Sequence, residues 1–117
     1  IFGGTNHKDY LNTSEIYEIK NDIWIEGPNM DITRAYHQCI HNKSKIYIIG
    51  GYDGTDLKYN KANYGKTVNT VCVYDINNEK WLNEIKLNIG RERFTACLCD
   101  DEIYILGGKC NRKRIDL

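Results

Sequence analysis

The chain has 117 residues, the size of one ordinary domain, and its 16 Lys+Arg balance 16 Asp+Glu to give no net charge. That balance excludes the broad basic field of a non-specific nucleic-acid binder, and apolar runs no longer than the four residues 46–49 exclude a membrane-spanning helix. An apolar content of 41% is enough for a packed core and too much for a disordered chain.

In chain order, Ile1-Phe2-Gly3-Gly4 reads as the end of a strand running into a turn. A strand is predicted over 15–19, then a tight turn at Lys20-Asn21-Asp22, then a strand around Trp24. Asn and Asp tolerate left-handed backbone, which suits such a turn. Two more strands follow over 37–41 and 45–50. The second holds Ile46-Tyr47-Ile48-Ile49, apolar on both faces where a half-solvated strand would alternate, so its sheet should be covered on both sides. Gly50-Gly51 ends it, and a backbone without Cβ can approach a neighbouring sheet closely. A long polar loop over 52–68 carries Tyr52, Tyr59 and Tyr64. Next come a strand over 72–76, a turn at Asn77-Asn78-Glu79 and a strand around Trp81. Strands over 94–98 and 102–107 close on Gly107-Gly108, and the basic stretch 109–114 is expected as a solvated loop.

These elements repeat. Offset by 57 positions, residues 12–51 lie on 69–108 without a gap, and thirteen pairs are identical. The pairs include Tyr17/Tyr74, Trp24/Trp81, Arg34/Arg91 and both glycines of the doublet. The doublet also stands at Gly3-Gly4, and the loop after it is ten residues shorter than the loop after Gly50-Gly51.

A Gly-Gly doublet after an apolar strand, then Tyr, Trp and Arg in that order, resembles the kelch repeat, whose period is about 50 residues. The resemblance covers nearly all of the chain up to Gly108. It implies an all-β fold of kelch-type β-propeller blades, each of four antiparallel strands with the first nearest the axis. Residues 1–30 would be the end of one blade, 31–83 one full blade and 84–117 the inner half of the next. That is a little over two blades, where a closed ring needs about four to eight. The chain is therefore expected to be a segment of a longer protein, or else to self-associate and complete a propeller.

Gly3, Gly4, Gly50, Gly51, Gly107, Gly108, Tyr17, Tyr74, Trp24 and Trp81 are expected to hold the fold. Strand direction alternates within a blade, so the loop before the first strand and the loop between the second and third open on one face. There lie Arg34, Tyr36, Arg91 and Arg93, beside Tyr52, Tyr59 and Tyr64. In ubiquitin-ligase adaptors of the kelch type, that face receives acidic or hydroxyl-bearing peptide segments, and a guanidinium grips a carboxylate bidentately. Alternatively, Arg34 and Arg91 cap loop carbonyls. Tyr36 and Arg93 differ between repeats, which makes them the better specificity candidates.

The resemblance implies a protein–protein interaction module, with a protein or peptide as partner and neither nucleic acid nor membrane. The first expectation is the substrate-recognition part of an adaptor that reaches a cullin-type ligase through other regions. The alternatives are a scaffold or cytoskeleton-binding protein and, third, a propeller enzyme. No nucleophile stands with a base and an orienting acid, so no catalytic residue and no cofactor is expected. His37-x-Cys39-x-His41 has the types of a metal site, but its repeat partners Phe94, Ala96 and Leu98 are apolar, which marks a packing face. The five cysteines are odd in number, which suits free thiols in a reducing, cytoplasmic compartment. The sequons at Asn12 and Asn42 are the argument for secretion.

Overall fold

A computed structural model of the chain describes residues 1–54 and 65–115, and within them every regular element is a strand. β1 (Glu15–Glu18) and β2 (Ile23–Glu26) form an antiparallel hairpin with Tyr17 opposite Trp24. β3 (Gln38–Asn42), β4 (Lys45–Ile49), β5 (Thr70–Asp75) and β6 (Lys80–Trp81) follow one another across an antiparallel sheet, and β7 (Ile85–Lys86) rejoins β5 beyond β6. β8 (Thr95–Cys99) and β9 (Glu102–Leu106) make a third sheet, and β10 (Lys109–Cys110) with β11 (Lys113–Arg114) a short ribbon.

The turns form for local reasons. In the β5–β6 turn, the Asp75 carboxylate accepts from Asn78 Nδ2 at 2.9 Å and from the Asn77 and Asn78 amides at 3.1 and 3.2 Å. The Asn78 side chain first, then these amides, holds the Asp75 carboxyl below its ordinary range. The β1–β2 turn repeats the device, with Asn21 Nδ2 donating to Glu18 at 2.8 Å. Asp22 and Glu79 both take left-handed backbone, at φ 54° and 51°.

β4 is apolar on both faces because both are covered. Ile48 packs with Met30 and Cys72, against Phe2, Ile46 and Trp81. Ile49 packs with Val71, Val73 and Phe94 on the other side. Ile48 and Ile49 are 0% and 1% exposed. The same positions on the outer sheets lack that cover among the described residues. Trp81 meets the edge of Phe2 at 6.2 Å, whereas Trp24 is 55% exposed; Leu106, the counterpart of Ile49, is 52% exposed.

Close approach between sheets explains the glycine doublets. Gly50 has φ +57°, and a Cβ there would lie 2.4 Å from the Arg91 carbonyl oxygen of the next sheet. The Gly51 amide donates to that same carbonyl at 2.7 Å, as Gly4 does to Arg34 at 2.7 Å.

Two segments differ from the sequence expectation. The stretch 109–114 is not an open loop. It is the β10–β11 ribbon, because Asn111 and Arg112 both adopt positive φ, 47° and 70°, and close a two-residue hairpin turn. Glu92 and Lys109 fasten its foot by exchanging both backbone bonds, at 3.0 and 2.9 Å. In addition, the outer edge of the middle sheet runs on past position 83 as β7.

Candidate recognition face

The loops between second and third strands stand on the same face as the connections between sheets and are tied to them. Ala35 and Tyr52 exchange backbone bonds at 3.0 and 2.8 Å, repeating the Glu92–Lys109 pair 57 positions on. The Thr33 hydroxyl donates to the Asp53 carbonyl. Tyr52 also bridges Thr67, which makes a two-strand foot. Gly54 and Gly65 meet above that foot, a Cβ on Gly65 falling 2.6 Å from Gly54 Cα.

Four side chains gather there. Arg93 lays its guanidinium over the Tyr36 ring, with Cζ 3.8 Å from the centroid, and its amide donates to the Tyr36 carbonyl at 3.0 Å. The two residues are repeat counterparts, and each holds positive φ, 58° at Tyr36 and 53° at Arg93. A non-glycine residue takes that conformation only where its surroundings over-determine it. Tyr10 meets Tyr52 edge to face at 5.6 Å. Burial first, then the phenols of Tyr36 and Tyr52, pushes the Tyr10 hydroxyl above its ordinary range. Burial first, then Glu92 and Asp53, does the same at Tyr52. Both phenols therefore stay protonated at neutral pH and can donate. Beside them a recess of about 140 Å³ opens between Tyr52, Thr67, Glu92 and Asn111.

Of the expected partner-binding residues, Tyr36, Tyr52 and Arg93 come together. Tyr59 and Tyr64 lie outside the described residues. Arg34 does not reach the face. It is 0% exposed and spends its guanidinium inside the fold, on the Gly50 and Thr70 carbonyls at 3.0 and 2.9 Å, the Thr70 hydroxyl at 2.8 Å and the Cys72 sulfur at 2.9 Å. Arg91 is half-buried and donates to the Gly107 carbonyl at 2.8 Å. Carbonyl capping is thus what both guanidinia do. Tyr10 was missed by sequence reasoning, although its phenol lies in the loop over 5–11 on the same face.

Residues 1–31 and 33–83 match the family model for the kelch motif. The chain belongs to the kelch-motif family. It is 32% identical over 112 residues to Kelch-like protein 23 of Mus musculus, covering 94% of this chain and 18% of that protein. It is 29% identical over 110 residues to Kelch repeat and BTB domain-containing protein 2 of Cowpox virus (strain GRI-90 / Grishak), covering 93% and 18%. To Beta-scruin of Limulus polyphemus it is 25% identical over 114 residues, covering 93% and 12%. The chain therefore spans less than a fifth of these relatives. Among solved structures, one titled "Structure of YjhT" superposes with a TM-score of 0.66 at 14% identity, over 92% of this chain and 33% of that one. At that identity the likeness shows the fold alone, and the sheets are kelch propeller blades.

In these kelch blades the doublets, Tyr and Trp recur in matching geometry. All six doublet glycines have positive φ. Tyr17 meets Trp24 in a tilted ring contact at 5.0 Å, and Tyr74 meets Trp81 likewise at 5.1 Å. His37 packs beside Gly3 and Gly51, while His41 Nε2 lies 2.6 Å from the Lys43 carbonyl at the other end of β3. No metal-holding group of three His, Cys, Asp or Glu exists among the described residues.

Proposed function

We propose that this kelch segment is a protein-recognition module whose contact surface is the loop face centred on Tyr10, Tyr36, Tyr52 and Arg93. The observation that carries the reading is the Tyr36–Arg93 stack, two repeat counterparts held in unfavourable backbone conformation at 3.8 Å. Tyr36 is 38% exposed and the Arg93 side chain 52% exposed, so both offer surface beyond the contact they make with each other. Phenols with apolar rings and donor tips, together with a stacked guanidinium, are the residue types that dominate protein interfaces. They suit a polypeptide segment with a carboxylate or hydroxyl to offer.

The finer reading is a substrate-recognition part of a cytoplasmic BTB-kelch ligase adaptor, without enzymatic activity or cofactor of its own. Relatives whose names join kelch repeats to a BTB domain support it, as do five unpaired cysteines. In this reading the cullin contact belongs to regions outside these residues.

The test is affinity capture with the full polypeptide that carries these residues. Tyr36→Ala with Arg93→Ala should lose captured partners that wild type retains. Asn42→Ala with Asp101→Ala, which breaks a 3.3 Å contact on the opposite face, should keep them. The reverse pattern places recognition on the other face. Failure of a cullin to co-purify with the wild-type polypeptide removes the ligase reading alone.

A further inference from the structure

The outer edge of the middle sheet is broken in a particular place. β6 stops at Trp81 and β7 begins at Ile85, while both pair with β5. Leu82 and Leu87 keep the ladder on either side, through bonds of 2.8 and 2.7 Å to Val73 and Asn69. Asn83 and Glu84 are left exposed and out of register, as at a bulge. Bulges re-aim side chains, and here they face a crevice of about 390 Å³ shared with the connection that leads into β3. Its volume is at the low end of the ~300–1,000 Å³ of small-ligand sites.

The lining is one-sided in charge. Asp31 and Glu84 supply carboxylates, Asn29 and Asn83 carboxamides, and Trp81 and Met30 an apolar wall; among the described residues no Lys, Arg or His lines it. Arg34 stands behind it, wholly buried and committed to Gly50, Thr70 and Cys72. Asp31 is held in place by the Cys72 thiol at 3.3 Å and lies 3.9 Å from Arg34. Glu84 has no ion pair among the described residues. A divalent metal is poorly served, since no group of three or more metal-ligating residues forms among the described residues. An aromatic and thioether wall with two acidic rims instead suits a monocation on an aliphatic stem.

We infer that this crevice binds an organic monocation of the lysine side-chain type, presented by a partner polypeptide. The choice of occupant rests on charge complementarity: Glu84 is a carboxylate without an ion pair among the described residues, and Asp31, whose one cation is the buried Arg34 behind the crevice at 3.9 Å, adds a second carboxylate at the rim. The site is separate from the Tyr36–Arg93 stack. The strand order β3-β4-β5-β6 sets Trp81 at the outer edge, roughly 14 Å across the sheet from β3 at three strand spacings. The inference therefore does not depend on the loop face being the recognition surface.

The experiment is a titration of the full polypeptide with N-acetyl-lysine-N-methylamide, read at the Trp81 indole resonance, with the norleucine analogue as the uncharged control. The expected result is a saturable shift with the lysine compound by about 50 mM and none with norleucine. Glu84→Gln should weaken binding about threefold, and Asn83→Asp, which adds a carboxylate at the exposed bulge, should tighten it by a similar factor. No saturable shift, an equal response to norleucine, or indifference to both substitutions overturns the site. Since the readout is local to Trp81, failure here leaves the loop-face reading to its own test.

Discussion

Arg34 and Arg91, 57 positions apart, make the same bond: each Nη1 donates to the carbonyl of the first glycine in the doublet that follows, Gly50 at 3.0 Å and Gly107 at 2.8 Å. Each also offers its own carbonyl to the second glycine of the preceding doublet, Gly4 or Gly51, at 2.7 Å. One residue thus joins consecutive sheets, through backbone on one side and side chain on the other. Arg34→Ala strips partners from buried carbonyls and should cost about 2–4 kcal/mol in urea unfolding. Arg91→Ala loses one bond from a half-buried site and should cost about 1 kcal/mol. Equal effects would mean that burial does not set the difference.

The doublet gives a second contrast. Gly50→Ala drives a methyl to 2.4 Å from the Arg91 carbonyl, whereas a Cβ on Gly107 meets nothing within 4 Å among the described residues. Both carry the left-handed penalty, about 1–2 kcal/mol. Thermal melts should therefore show Gly50→Ala the worse by at least ~1 kcal/mol, from the added clash.

His37 stands where the next blade has Phe94, with Nδ1 buried and unbonded among the described residues. Burial first, then the Arg34 charge, holds its pKa below the ordinary 6.5. The folded state therefore prefers the neutral ring. The stability this brings is complete above the unfolded value and is lost as pH falls through the folded one. Asp75, depressed from 3.8, adds its own loss only at lower pH. Urea midpoints should fall on acidification from pH about 7 to 5, and His37→Phe should flatten that slope. An unchanged slope assigns the acid sensitivity elsewhere.

Arg93 separates contact from stability. Arg93→Gly gives up a partly exposed ring contact worth about 0.5–1 kcal/mol and relieves left-handed backbone worth about as much. Its melting temperature should stay close to wild type while partner capture falls. A large drop in melting temperature would make Arg93 structural.

Joining Gly54 directly to Gly65 should also spare the sheet, since the two already touch and the Tyr52–Thr67 foot stays below them. Circular dichroism melts of the 55–64 deletion should match wild type within about 1 kcal/mol.

The blade was legible because its signals are periodic. The doublet, Trp24/Trp81 and the doubly apolar Ile48-Ile49 each announce packing on a known side. What the sequence could not carry is the sense in which a side chain turns. Arg34 and Arg93 are both cations on one connection type, yet one folds inward to carbonyls and the other lies over a ring. The choice depends on the carbonyls that strand ends leave unpaired, which only the assembled sheets define. Tyr10 joined Tyr52 for a similar reason, because their contact crosses between blades. The ribbon at 109–114 hid behind its basic composition, although Asn111 was its turn signal.

The foot formed by Tyr52 and Thr67 has an evolutionary consequence. Thr5 and Tyr10 close a shorter loop with the same kind of bridge, so loop length varies above a constant base. Insertions at that position carry little mechanical load into the blade. On the function proposed above, a lineage can remodel what the module touches by lengthening or replacing this segment, while selection on folding acts on the doublets and arginines beneath it. On that reading, diversity of partners and constancy of architecture are kept by different residues, a few ångströms apart.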